Sequence, residues 1–278
     1  MKEPRQHRRK PAVLKSLLVL VLLCGGVLAD SNLRIVTTEY VLNFPALPEA
    51  FDGFRIVQLS DVHGIVFGKN NDRLFRAVRA ARPDLIALTG DLADRDTDLA
   101  DIDTLLSGLE GIAPLYYVSG NHEWNARLIG PLQNLFSRHG VRYLRNEYVL
   151  LERGGAQLVL AGVEDPNGWA EQPTPEEVAA ALPEDGLRVL LAHRNYWVRT
   201  YPDLPVDLIL CGHAHGGIIR LPGIGGLLDH QGKLFAEYDC GVYASGRYRM
   251  VVSRGVGLVE GIPRVLNNPE IVAVELRK

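Results

Sequence analysis

Five of the eight histidines in this chain fall in short motifs, and each motif closes an apolar run. In order they are Asp61-Val62-His63, Gly120-Asn121-His122-Glu123, His193 alone, and Gly212-His213-Ala214-His215. Gly90-Asp91-Leu92-Ala93-Asp94 lies between the first two. Neutral imidazoles mixed with carboxylates and one carboxamide form a donor set that binds divalent metals such as Mn, Fe, Zn, Co or Mg and leaves coordination positions open. An Asp-x-His triplet or a Gly-Asp pair means little alone. Five such motifs in series, each ending a strand-like stretch, predict a two-metal hydrolase.

The elements that must position these residues follow from periodicity. Residues 54–59 (FRIVQL) read as a strand delivering Asp61 and His63, and residues 71–81 have helical spacing at Leu74, Phe75 and Val78. Residues 84–88 (DLIAL) form a second apolar strand that stops at Thr89-Gly90-Asp91. A helix over 102–109, a strand over 115–118 and one long helix over 124–139 follow. Asp61 to Asp91 and Asp91 to Asn121 are each 30 residues apart, about the length of a strand–helix–strand unit. Short connections imply right-handed parallel crossovers, so the motifs should emerge along one sheet edge, beyond the carboxyl ends of the strands. In the second half, 141–144, 148–152 and 157–163 are expected as a meander, followed by a helix over 175–181. Strands over 187–191 and 206–210 lead to His193 and His213, and strands over 218–221, 247–253 and 271–276 complete the chain. One α/β domain is expected over 34–278.

The ordered series D-x-H, GD-x-x-D, GNHE, lone His and GHAH resembles the calcineurin-like metallophosphoesterases. Gly216-Gly217, Ser253-Arg254-Gly255-Val256-Gly257 and Asn268-Pro269-Glu270-Ile271 resemble the membrane-associated, YkuE/YaeI-like bacterial branch, and the likeness covers about residues 50–278. The resemblance implies an α/β/β/α sandwich with mixed sheets flanked by helices. It also implies two divalent ions, one held by Asp61, His63, Asp91 and His215, the other by Asp91, Asn121, His193 and His213. A shared Asp91 would offset repulsion between dications roughly 3.5–4 Å apart, with a bridging hydroxide as the nucleophile toward phosphorus. His122 would lie outside the metal shell and donate a proton to the leaving oxygen, Asp94 would orient its imidazole, and Glu123 would brace the loop. Two departures stand out. Arg194-Asn195 follows His193 where a proline is usual two residues on, so Arg194 becomes a candidate for a substrate phosphate or for a salt bridge. Ile218 replaces a common glutamine. The implied function is a phosphodiesterase acting on a lipid-, sugar- or nucleotide-linked phosphate. The alternatives are a phosphomonoesterase with the same metals and a non-catalytic metal-dependent binding protein.

Bulk composition sets the remaining bounds. With 278 residues, 47% apolar and 23% charged, the chain is an ordinary globular protein. Residues 1–15 hold six of the 30 Lys and Arg but one of the 33 Asp and Glu, so the remainder is acidic by eight charges. An acidic body argues against binding a nucleic-acid polymer. The basic head precedes an apolar run over 17–29, so residues 1–33 read as a signal peptide cleaved after Ala29 or an uncleaved membrane anchor. Either places the domain on the outer face of the cytoplasmic membrane, or free of it after cleavage. A buried helix of the domain is the bland alternative. Cys211 and Cys240 are a candidate pair in an oxidising compartment, or two unrelated thiols. His7, His139 and His230 have no partner spacing and are expected at the surface.

Overall fold

The computed structural model describes residues 10–228, 234–258 and 262–278. Helix α1 (Lys10–Leu33) is followed by β1 (Val36–Asn43), β2 (Arg55–Leu59), α2 (Asp72–Ala80), β3 (Leu85–Thr89) and α3 (Leu99–Leu109). Next come β4 (Leu115–Val118), α4 (Asn121–Asn125), α5 (Ile129–Arg138), β5 (Arg142–Tyr143), β6 (Glu147–Arg153) and β7 (Ala156–Gly162). The chain continues through α6 (Pro175–Ala180), β8 (Arg188–Leu191), α7 (Trp197–Thr200), β9 (Leu208–Cys211), β10 (Ile219–Leu221) and β11 (Gly225–Leu228). It ends with β12 (Gly241–Ala244), β13 (Arg249–Val252) and β14 (Glu270–Arg277).

The strands pair into two six-stranded sheets, ordered β1-β14-β2-β3-β4-β5 and β12-β13-β9-β8-β7-β6. The expected parallel run β2-β3-β4 is present, as is a second one through β7, β8 and β9. Their continuous apolar composition has a packing cause, because each of these strands is covered on both faces. One face of each sheet meets the other across a core that includes Ile56, Leu85, Val118, Val189, Leu210 and Val274. On the outer face of the first sheet, Leu74 and Val78 of α2, Leu105 and Leu106 of α3, and Leu132 and Phe136 of α5 bury the helical stripes. Val178 of α6 and Trp197 of α7 cover the second. This is the mixed α/β/β/α sandwich.

Two expectations change, and other pairings were not foreseen. The helix predicted over 124–139 is two helices, because Arg127 adopts a left-handed backbone (φ 59°) between α4 and α5. The meander does not form: β5 adds parallel to β4 in the first sheet, while β6 and β7 make a hairpin in the second. Asn146, at φ 58°, turns the chain from one sheet to the other. The β10 segment joins neither large sheet and pairs with β11 instead. Strand β1 was not anticipated; its VTTEYVLN sequence carries a polar half and finds its partner at the far end of the chain, in β14. As for the cysteines, Cys211 is buried, Cys240 partly so, and among the described residues no disulfide forms. His139 is partly buried, with ring nitrogens near Asp103 (2.8 Å) and Glu110 (3.3 Å), whereas His7 and His230 lie outside the described residues.

Candidate metal centre

The site lies where β2, β3, β4, β8 and β9 end. Each strand is short and apolar, and each releases a polar loop at the same edge. The backbone there is unusual: Asp61 (φ 52°), His63 (50°), Asp91 (52°), His213 (67°) and His215 (51°) all adopt left-handed conformations. For non-glycine residues this costs about 1–2 kcal/mol each. Such strain at five candidate ligands persists because neighbouring bonds fix it. The amides of Asp61 and His63 donate to the carbonyls of Gly90 and Asp91 (both 3.0 Å), locking the first two motif loops together. The His213 amide donates to both Asp61 carboxylate oxygens (3.0 and 3.1 Å), and the His122 amide donates to Asp91 Oδ1 (2.9 Å).

Two clusters share one carboxylate. Ligand atoms of Asp61, His63, Asp91 and His215 lie within 4.8 Å of one another, and so do those of Asp91, His193 and His213. His63 Nε2 is 3.4 Å from His215 Nε2 and 4.0 Å from Asp91 Oδ2. His215 Nε2 is 3.4 Å from Asp61 Oδ1, and His193 Nε2 is 3.1 Å from Asp91 Oδ2. His193 Nδ1–H donates to the Thr89 carbonyl (2.9 Å), which turns Nε2 toward Asp91. Metal-ligating histidines are oriented in this way. Asn121 is buried, and its Oδ1 makes no hydrogen bond. Buried polar atoms without partners are costly, so they fit groups held for a metal. The donor set suits two divalent ions.

Electrostatics follow from the shared burial. Burial opposes charge on Asp91, but the neighbouring His193, His63 and His122 outweigh it and hold the carboxyl well below its usual range. For His193, burial would lower basicity; Asp91 reverses this and pushes the imidazole up to about 10. Burial, then the charges of His63 and Arg264, drive His215 well below the usual range. Glu123, fully buried, is pushed up to about 7 by burial and by Asp91. Its carboxylate accepts the amides of Asp91 (3.1 Å), Leu92 (2.5 Å) and Gly120 (2.9 Å), so it ties the Asp91 loop to the Asn121 loop, the bracing expected of it.

The structure also places the two residues expected outside the metal shell. His122 packs edge-on against His63, with ring centroids 4.8 Å apart, and His63, Asp94 and His122 form a third cluster. Asp94 Oδ2 lies 3.5 Å from His63 Nδ1, and that imidazole is the chief cause lowering its carboxyl to about 2; a ligand atom of Asp94 is also within 4.8 Å of one on His122. Arg194 forks onto the buried Asp165 (2.6 and 2.9 Å) and points Nη1 at His213 Nε2 (3.0 Å), so the salt bridge forms at the rim of the centre. Three contributors escaped the sequence reading. Asp165 follows β7 as the motif acids follow their strands, a signal that was available. Asn267 Nδ2 donates to the His215 carbonyl (2.8 Å), one residue before the Asn268-Pro269 signature. The buried Arg264 donates to the carbonyls of Gly257, Arg254, Gly255 and His215, and no spacing in the sequence marks it.

A cavity of about 780 Å³ opens beside this centre, lined by His63, His122 and Asn125 and by a rim of Asp94, Asp96, Asp98 and Asp101 with Arg95. Residues 54–217, which contain every candidate ligand, match the family described as calcineurin-like phosphoesterase. The chain belongs to that family. As a member, this phosphoesterase is a hydrolase of phosphoric esters. It is 30% identical to the metallophosphoesterase YkuE of Bacillus subtilis, over 87% of this chain and 86% of that one. It is 31% identical to the phosphodiesterase YaeI of Escherichia coli, over 80% and 82%. A zebrafish (Danio rerio) transmembrane protein with a metallophosphoesterase domain is 27% identical, over 94% of the phosphoesterase and 62% of its own length.

Proposed function

We propose that this chain is a membrane-anchored phosphodiesterase working through two divalent ions. Asp61, His63, Asp91 and His215 would hold one ion, and Asp91, Asn121, His193 and His213 the other. The observation that carries this reading is the single carboxylate of Asp91 common to both clusters. When bound, the ions supply an activated water and a clamp on the phosphate oxygens. Asn121 adds an oxygen donor without charge, so the site keeps a net attraction for phosphate. His122 stands at the cavity wall, where its imidazole can give a proton to the leaving oxygen. Asp94 holds the His63 ring in place. Arg194, fixed by Asp165, adds positive charge at the edge of the second cluster.

The acidic rim favours a diester over a monoester. Four carboxylates against one Arg95 line the approach, and a monoanionic diester meets less repulsion there than a dianionic monoester. The basic residues of 1–15, ahead of the apolar span, support a domain outside the cytoplasm with α1 as its anchor. A lipid- or sugar-linked phosphodiester suits that location. The test is hydrolysis of paired diester, monoester and pyrophosphate substrates by protein reconstituted with Mn, Fe, Zn, Co or Mg. Diesters are expected to turn over fastest, and Asp91→Asn to lose hydrolysis together with bound metal. An Asp91→Asn protein as active as the parent overturns the two-metal assignment, and preference for monoesters overturns the substrate class.

A further inference from the structure

We infer that the end of the fold carrying the metal centre rests on the bilayer crossed by α1, through an apolar surface formed by Leu33, Ile224, Leu234, Phe235, Ile262 and Leu266. This rests on the proposed retention of α1 as an anchor. The first argument is length. Val13–Leu33 is long and apolar enough to cross a membrane, and the domain covers none of its most apolar 18-residue window. Only Arg34 and Ile35 separate α1 from β1. Two extended residues reach about 7 Å at most, so the domain has no tether with which to stand away from the membrane.

The last turn of α1 is also bonded to the domain. Asn32 accepts from the Arg264 amide (2.8 Å) and donates to its carbonyl (2.9 Å). Ser31 Oγ accepts from the Leu266 amide (2.8 Å), and Asn268 Nδ2 donates to the Asp30 carbonyl (2.6 Å). Residues 264–268 therefore lie level with the end of the span, at the depth of the headgroups.

Strand register decides which end of the sandwich this is. Val36 pairs with Glu270 in β14, and two residues later Val272 pairs with Gln58 in the antiparallel β2. The span thus emerges at the sheet edge where Asp61 leaves β2. The connection to the centre is direct, since Arg264 Nη1 donates to the His215 carbonyl (3.2 Å). The β10–β11 hairpin starts four residues after His215; it bridges to the 264–266 segment through Ile219 and Val265, and to Leu234 through Leu228. On these linked segments Ile224 (61%), Leu234 (58%), Phe235 (62%), Ile262 (44%) and Leu266 (45%) stand exposed, as does Leu33 (56%) at the end of α1. Large exposed apolar side chains gathered on linked segments mark an interaction surface. Here its neighbour is a membrane span, and side chains of this kind enter the boundary between headgroups and acyl chains to a depth of about 5–10 Å. Arg73 stands at the exit, donating to the Leu33 carbonyl (2.7 Å), which suits anionic headgroups; Arg34 beside it is paired with Asp30. An amphiphilic phosphoester then reaches the metal centre with its acyl chains still in the bilayer.

The test uses the full chain in lipid nanodiscs, with Cys24→Ser and Cys240→Ser as background, Cys211 being buried. A bimane label goes on Phe235→Cys or Ile224→Cys, two exposed positions, and on Glu152→Cys at the opposite end of the sheets as a control. Brominated lipids are expected to remove most of the emission at 235 and 224, with a blue shift, and to leave 152 unchanged. Emission at 235 and 224 that matches 152, in a chain shown intact by mass spectrometry, overturns the surface alone. Protein isolated from its cells without residues 1–33 overturns the anchor and the surface together. The readout is independent of hydrolysis.

Discussion

At the scale of single residues, the proposed metal centre would set protons against dications for the same atoms. His193 Nε2 faces Asp91 Oδ2 at 3.1 Å, and that carboxylate raises the imidazole to about 10. Because this lies above the usual histidine value of 6.5, the ion pair contributes stability that is fully present below 6.5 and is lost as pH rises through about 10. A dication entering the site must displace this proton. Metal uptake at neutral pH is therefore expected to release about one proton from His193, and affinity to rise with pH up to about 10. Calorimetric titration with Mn in buffers of different ionisation enthalpy reads this directly, and an uptake that releases none contradicts it. His122 has a different role, since its amide, not its ring, holds Asp91. His122→Ala should lower kcat by about 10²–10⁴ while leaving bound metal, measured by mass spectrometry, unchanged. Loss of metal would make His122 a ligand or a structural residue instead.

At the scale of elements, strand ends and tight loops convert a linear series of motifs into one site. Gly120 shows the tolerance. A Cβ there would collide with the Asp91 carboxylate and lie 2.5 Å from its amide. Gly212 is as crowded, against Ser60 and Asp61. Gly120→Ala is expected to destabilise the fold by roughly 1–3 kcal/mol through overpacking, and to displace the shared carboxylate. Thermal unfolding and metal stoichiometry together check this; a variant with wild-type values in both would show that the Asp91 loop is free to yield. These glycines were legible in the sequence as the partners of motif residues, as were the strands that are buried on both faces. The split between α4 and α5 was not. It depends on a left-handed Arg127, and nothing in the local pattern distinguishes that residue from one inside a helix.

At the scale of the whole molecule, the two sheets meet so that the first contributes Asp61, His63, Asp91 and Asn121, and the second His193, His213 and His215. Metals bridging that seam would bind the native state alone. Chelation is therefore expected to lower the unfolding temperature, by an amount that grows with metal affinity, and Mn or Zn to restore it. Equal temperatures with and without chelator would show that the seam holds without metal. The seam also carries Gln58, buried under it, whose amide joins Thr89 Oγ1 to the Cys211 carbonyl of the opposite sheet.

The sequence by itself determined the donor types, their order, the parallel units that carry the first three motifs, and the cationic head before an apolar span. All of these are local: composition, period two or 3.6, and spacing fix them without reference to distant chain. Tertiary structure decided the rest. Pairing β1 with β14, moving β5 into the first sheet, bringing Asp94 up to His63 as well as His122, and seating Arg264 under His215 each join residues far apart in the chain. Such choices depend on the packing of two sheets against each other, and no window of sequence contains both sides of that contact.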